Sequence, residues 1–235
     1  MDREVVWLAE KKAKGSGVLA PVEDFVMSLA PSIPVAQVKT WLSAYFHPME
    51  TFESNKKDSN LGGVVVHLVL IGLLSWLVAI LASLAGLNVV GAIAAAVLIL
   101  LFPIIFLVIG FVGSIVLFIL AKIFGGKGGF VEQTFAFTLI VGAWVAMSAP
   151  FDVLGGIILV GFLFKIVSLL IGVYNIYNAY LVVKGVHQLS SKRAAAVVLI
   201  PIVVGIILYA ALVAMALAAL AALGASGAMA GRGPY

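Results

Sequence analysis

Long blocks of apolar residues dominate the chain from residue 63 to residue 223. A helix needs about 20 apolar residues to cross roughly 30 Å of hydrocarbon. The blocks therefore predict an all-α membrane helix bundle with five transmembrane helices, at about residues 63–85, 103–123, 131–148, 162–183 and 194–223. Pro103 and Pro150 mark two of these boundaries because proline disrupts a helix interior, and Pro201 is expected to kink the last span. Two short apolar connectors remain on the far side of the membrane, at residues 88–101 and 151–161.

The first 61 residues have a different pattern, polar with short amphipathic stretches. One stripe at helical spacing runs through Val35, Val38, Trp41, Leu42 and Tyr45, and another through Val22, Phe25, Val26 and Leu29. Residues 1–14 are a further helix candidate. Such stripes predict helices that lie on the membrane surface or against the bundle. The predicted organisation is a cytoplasmic N-terminal region (1–61), a transmembrane domain (62–223) and a flexible tail (224–235).

Composition supports a membrane protein. Of the 235 residues, 64% are hydrophobic and 10% are charged, whereas a soluble domain is about half apolar and a quarter charged. No cysteine is present, so disulfide and thiolate chemistry are excluded. The start of the chain shows no apolar stretch of signal-peptide type, and we expect the first span to act as an uncleaved signal.

The distribution of basic residues predicts the orientation. Cytoplasmic segments of membrane proteins carry an excess of Lys and Arg in their short loops. With five spans and the N-terminus inside, twelve basic residues fall on the cytoplasmic side: Arg3, Lys11, Lys12, Lys14, Lys39, Lys56, Lys57, Lys122, Lys127, Lys184, Lys192 and Arg193. Only Lys165 and Arg232 fall on the other side. We therefore predict a cytoplasmic N-terminus and an external C-terminus. The basic loops do not form a nucleic-acid surface, since no basic face with interleaved aromatic residues is present.

The loop between the second and third spans reads Gly-Gly-Lys-Gly-Gly, residues 125–129. A phosphate-binding loop requires Gly-Lys followed by Ser or Thr between a strand and a helix, and this sequence lacks that pattern. Glycines permit positive φ, so the segment predicts a tight cytoplasmic turn. Lys122 and Lys127 would then face anionic lipid headgroups.

Three segments resemble the Yip1 domain family: HPMETFES, GGKGGFVEQTFAF, and the stretch from LLIGVYNIYNAY to VLIPIVV. The corresponding positions are Pro48 and Phe52; Gly125, Gly126, Lys127, Gly128 and Phe130 with Gln133; and Gly185, His187, Lys192 and Ala194. The resemblance covers about residues 46–210 and implies five spans with a cytoplasmic N-terminal region. The chain lacks the Asp-Leu-Tyr-Gly-Pro signature of the eukaryotic trafficking members, and whether their GTPase binding applies stays open.

A few polar residues interrupt the spans. Asn175 and Asn178 are three residues apart, which places them on one helix face; they predict either an interhelical hydrogen bond or the lining of a polar path. His67 lies one turn inside the first span and is expected to bond a neighbouring helix, with a proton relay as the alternative. Lys165 lies near the outer end of the fourth span, where it can extend its ammonium to the interface, with Asp152 as a candidate partner.

No catalytic motif and no cluster of metal ligands appears in the sequence. The main hypothesis is a non-enzymatic adaptor without cofactor or metal, which binds membrane lipids and other proteins through Lys122, Lys127, Lys184, Lys192 and Arg193 on its cytoplasmic face. The alternative is a small-solute or lipid transporter subunit, with the Asn175/Asn178 face as its path and the outer connectors as its vestibule. Alanines at four-residue spacing in the last span favour helix packing or a homo-oligomer. The expected location is a multi-pass position in a prokaryotic plasma membrane.

Overall fold

The structure, a computed structural model, describes Pro21 and residues 36–157 and 160–230, with side chains up to residue 219. Within this part the chain forms eight α-helices and one short 3-10 turn, and it contains no strand. The helices are α1 (Ala36–Phe46), α2 (Pro48–Ser54), α3 (Leu61–Ala85), α4 (Val89–Val97), α5 (Leu101–Ile123), α6 (Phe130–Leu154), α7 (Gly161–His187) and α8 (Ser191–Ala230).

Five of these helices are long and apolar enough to cross a membrane: α3, α5, α6, α7 and α8. This confirms the predicted number of spans. Short connections alternate between two ends of the bundle. The end that carries the α5–α6 and α7–α8 loops is called the basic end here, because Lys122, Lys127, Lys184, Lys192 and Arg193 all lie in or beside those loops.

One predicted boundary was wrong. The third span was expected to stop before Pro150, but α6 contains this proline and continues to Leu154. A proline inside a transmembrane helix is tolerated where neighbouring helices and local adjustments compensate for the lost hydrogen bond. The connector predicted at residues 151–161 is therefore shorter and comprises only residues 155–160, between α6 and α7.

The other spans differ from prediction mainly at their ends. Helix α7 continues to His187, and Gln188 then caps it with a left-handed backbone at φ 54°. Helix α8 passes Pro201 without ending and reaches Ala230. The tail predicted to be flexible from residue 224 thus begins inside a helix, and residues 231–235 lie outside the described part.

Helix α6 occupies the centre of the bundle and contacts α1, α3, α5 and α7. Its buried face carries Phe135, Leu139 and Ile140, which share one apolar core with residues of α1 and α3. Helix α8 instead joins the periphery through its first turns. There Ala194, Val197 and Val198 form a second, smaller core with α5 and α7.

The N-terminal helix α1 is part of this bundle. Trp41 and Ala44 are buried, and the Trp41 ring lies against Gly142, the midpoint of α6. A Cβ atom on Gly142 would lie 2.5 Å from the ring, so only glycine leaves room for it. Of the two placements that the amphipathic stripe allowed, α1 takes the one against the bundle. The candidate helices at 1–14 and 22–29 lie outside the described residues.

Candidate functional site

The glycine-rich loop is a packed joint at the basic end. Its turn is made by Gly125, which has a φ of +84°, and the Gly126 N–H donates to the Ala121 carbonyl over 2.8 Å. The Lys127 N–H donates to the carbonyl of His187 over 3.1 Å, which ties the loop to the end of α7. A Cβ atom on Gly128 would lie 2.5 Å from the Val186 carbonyl oxygen. The glycines therefore allow backbone to approach backbone, and the flanking elements are helices rather than the strand and helix of a phosphate loop.

A buried polar cluster lies under this loop and joins three spans. His187 Nε2 donates to Gln133 Oε1, and Gln133 Nε2 donates to the Ser114 carbonyl over 3.0 Å. Since the Gln133 amide nitrogen is engaged with Ser114, its oxygen acts as the acceptor and the neutral His187 ring carries its proton on Nε2. All three residues are at most 1% exposed. The cluster therefore fixes the relative positions of α5, α6 and α7 beneath the loop.

The basic side chains surround the same loop, and some of them hydrogen-bond it. Arg193 Nη1 donates to the Phe124 carbonyl over 3.3 Å, and Lys122 Nζ donates to the Lys127 carbonyl over 3.4 Å. Lys184 lies 6.0 Å from the centre of the Tyr180 ring. Lys127 and Lys192 are exposed, and their side chains make no hydrogen bond or ion pair with the described part of the chain.

His67 pairs with the N-terminal helix. The Trp41 indole N–H donates to His67 Nδ1 over 2.8 Å, and the Phe135 ring lies perpendicular to the imidazole at 5.4 Å between ring centres. Because Nδ1 accepts, the neutral imidazole carries its proton on Nε2. The sequence identified both Trp41 and His67, but their pairing across 26 residues left no pattern that could reveal it.

The two asparagines of α7, predicted to share one helix face, have different surroundings. Asn178 is fully buried, and its Nδ2 donates to the Tyr45 carbonyl of α1 over 2.9 Å. Asn175 instead lines a separate cavity between α5, α6, α7 and α8. Burial, with a smaller contribution from Tyr174, raises the pKa of Tyr45 to about 12, so this phenol stays neutral at physiological pH. Asn178 thus attaches α1 to α7 and does not belong to one path with Asn175.

The candidate pair of Lys165 and Asp152 does not form in the described structure. Asp152 lies in the last turns of α6, and its Oδ1 accepts from Ser168 Oγ over 2.6 Å. Ser168 is one turn beyond Lys165 on α7 and takes the position next to the carboxylate. Lys165 itself is exposed and lies next to Gly155, at the end of the bundle opposite the basic end.

The three segments singled out from the sequence meet at the basic end. The ring of Phe52 in α2 lies tilted against that of Phe135 in α6, with 6.5 Å between ring centres. Met49 touches Gly185 of α7, where a Cβ atom would lie 2.3 Å from the methionine Cε. With the contact between His187 and Gln133, residues from all three segments form one connected cluster of packed side chains. Ser114 was missed because a lone serine in an apolar span carries no distinguishing pattern.

These observations define a class: a five-span helical membrane protein with an N-terminal helix packed inside its bundle and a close-packed basic end. The Yip1 domain family matches residues 42–213, which is more than half of the chain. The chain therefore belongs to the Yip1 domain family. No curated protein and no solved structure matches it.

Proposed function

We propose that this protein is a non-enzymatic membrane adaptor that binds other proteins through its basic end. The observation that carries the proposal is the meeting of the three family segments at that end. Their internal contacts are backbone hydrogen bonds, ring contacts and glycine close approaches. Such contacts make a rigid platform, and a rigid surface loses little conformational entropy when a partner binds.

The chemistry of this platform fits a partner or a lipid surface with negative charge. Lys127, Lys192 and Arg193 are exposed there, and Lys122 beside them is exposed as well. Clustered Lys and Arg at a membrane surface attract anionic headgroups with about 1 kcal/mol per residue. Under the positive-inside rule the same end faces the cytoplasm, which is part of the proposal. Anionic lipids would then orient the platform toward cytoplasmic proteins.

A second feature near this end adds a negative edge to the surface. A cavity of about 550 Å³ lies against α2 and is lined by Ser43, His47, Glu50 and Glu53. Carboxylates beside a cavity accept basic side chains of a partner. Juxtaposed positive and negative patches provide orientation more than affinity, which suits a protein that positions its partner.

The test compares charge reversal at the two ends of the bundle. In the variant with Lys127→Glu and Lys192→Glu, neither altered side chain supports the fold through a described contact. The recovery of a partner cross-linked in native membranes should fall by about tenfold or more with this variant, because like charges at an interface cost several kcal/mol. Lys165→Glu at the opposite end is the matched control and should retain the partner. Thermal unfolding in detergent checks that the wild type, the double variant and Lys165→Glu are all folded.

Undiminished partner recovery by the double charge reversal would refute the docking role of the basic end. Loss of the partner in Lys165→Glu as well would show that the effect is not specific to this surface.

A second candidate function, transport of a lipid or small solute, is supported by the cavity beside Asn175. Its predicted path through both asparagines is not supported, because Asn178 is engaged with Tyr45. Asn175→Leu should abolish uptake into proteoliposomes under this alternative. The same variant should leave partner recovery unchanged under the adaptor proposal.

A further inference from the structure

Residues of four spans line an open cavity of about 500 Å³ on the side of the bundle where α8 packs. Its walls are almost wholly apolar, and they include Leu117 of α5, Phe137 of α6, Ile176 of α7 and Val198 of α8. No charged side chain is among the described residues that line it. The volume falls within the range of about 300–1,000 Å³ that is usual for sites of small ligands.

The cavity lies midway along the spans. Asn175 is twelve residues before the end of α7, or about 18 Å from the basic end at helical rise. Trp144 is fourteen residues after the start of α6, or about 21 Å from that end. Gly113 and Pro201 each lie ten residues from the corresponding ends of α5 and α8, which gives about 15 Å. The surrounding medium at this depth is hydrocarbon rather than water.

Two polar groups border this apolar space without a partner among the described residues. The Asn175 side chain makes no hydrogen bond within the described residues, and its Oδ1 is buried. The Trp144 indole N–H likewise makes none there, and Nε1 lies 3.5 Å from the position that a Cβ atom on Gly172 would occupy. Gly172 and Asn175 both line the cavity, so the indole N–H beside Gly172 and the Asn175 amide border the same space. An unpaired polar group in hydrocarbon is costly, and this cost disappears when a ligand supplies the partner.

We propose that the cavity binds an uncharged lipid alcohol, with its hydroxyl at Asn175 and Trp144 and its hydrocarbon against the apolar walls. A hydroxyl donates one hydrogen bond and accepts others. It can therefore accept from the indole N–H and pair with the amide whichever way the amide is oriented. A plain acyl chain would leave both groups unpaired, and an ionised headgroup would meet no opposite charge.

The experiment uses the full chain in liposomes and a photoreactive probe, hexadecanol with a diazirine in its chain. The comparison probe is the matching hexadecane, which lacks the hydroxyl. Photo-adducts are mapped to peptides of α6 and α7, and unlabelled hexadecanol is added as competitor. We expect the alcohol to label residues around Trp144 and Asn175 several-fold more than the alkane does, with labelling that the competitor removes.

Three variants test whether the probe binds in the cavity. Asn175→Leu removes the polar partner and should weaken alcohol labelling by about threefold to tenfold, the effect of losing one hydrogen bond. Gly113→Leu should block labelling by filling the space, because a Cβ atom there meets only Phe137 Cε1 at 3.9 Å. Gly205→Leu is the control, since a Cβ atom on Gly205 has no neighbour within 4 Å.

Equal labelling by the two probes would show that acyl chains alone fill the cavity and would overturn the proposal. Alcohol labelling that persists unchanged in both Asn175→Leu and Gly113→Leu would overturn it as well. The comparison of the two probes and the labelling of the variants are both independent of partner recovery at the basic end. This proposal and the adaptor proposal can therefore fail separately.

Discussion

Helices α6 and α8 are both transmembrane spans, but they differ in how much of their surface is buried within the protein. In the most apolar part of each span, 44% of the residues of α6 are buried within the protein, against 11% for α8. Helix α6 is nevertheless the least apolar of the five spans, and α8 is among the most apolar. In lipid the outer surface is as hydrophobic as the core, so packing depends on small residues and hydrogen bonds. Polar and small residues therefore mark the central helix, and uniform hydrophobicity marks the peripheral one.

The central position of α6 depends on particular buried residues. Gln133, Thr134, Thr138 and Ser148 are buried polar residues, and Gly142 admits the ring of Trp41. Beyond Ile202 the side chains of α8 are exposed as far as residue 219, where the description of side chains ends. Substitutions should therefore be costly in α6 and nearly neutral in the distal part of α8.

The largest effect is expected for Gln133→Leu. It leaves the His187 Nε2–H without its acceptor and removes the bond to the Ser114 carbonyl. A buried group left unpaired costs about 1–3 kcal/mol, and loss of the bond to the Ser114 carbonyl, which still accepts its intrahelical hydrogen bond within α5, adds about 0.5–1.5 kcal/mol, so the total loss should be about 1.5–4.5 kcal/mol. The measurement is the free energy of unfolding in detergent by titration with a denaturant.

A double-mutant cycle separates this hydrogen bond from general disruption. If the bond is the cause, adding His187→Leu should recover part of the stability, because two apolar partners leave no orphaned donor. Strictly additive losses from the two substitutions would contradict the assigned role of the pair.

A smaller loss is expected for Gly142→Ala. The added methyl group meets the Trp41 ring at 2.5 Å, and overpacking of this kind costs about 1–3 kcal/mol. Gly205→Ala in α8 is the matched control. With nothing within 4 Å of the new methyl group, it should leave stability unchanged or raise it by up to about 1 kcal/mol through helix propensity.

Proteolysis shows whether the effect of Gly142→Ala arises from release of the N-terminal helix. The variant should expose α1 to a protease at concentrations that spare the wild type. A protease pattern identical to that of the wild type would show that α1 does not depend on this contact.

The sequence was sufficient for the fold class because span number follows from the length of apolar blocks, a local property. It was insufficient for the contacts that define α6 as central. His187 and Gln133 are 54 residues apart, and Gly142 resembles any other glycine in a span. Pro150 was misread because a proline that would break an exposed helix is tolerated inside a membrane bundle.

The asparagines of α7 show how far a local pattern can be taken. Three residues correspond to about 300° of helix rotation, so Asn175 and Asn178 are neighbours whose side chains diverge by about 60°. Helix α1 covers Asn178, whereas Asn175 lines the cavity. No pattern within α7 contains the information that a helix from the N-terminal region would insert beside it.

The smallest effect is expected when the chain is truncated after Val213, where the family match also ends. The remaining part of α8 still exceeds the roughly 20 residues that a span requires. The removed side chains that are described, from residue 214 to 219, are exposed, so stability should change by no more than about 0.5 kcal/mol. A loss well above 1 kcal/mol, measured as for Gln133→Leu, would show that distal α8 makes a packing contact that stabilises the protein. A contact with a second copy would involve the alanines at 214 and 218, since small residues in register let helices approach closely. Such a loss would disappear on dilution in detergent if its source were an association of copies, whereas an intramolecular contact would not depend on concentration.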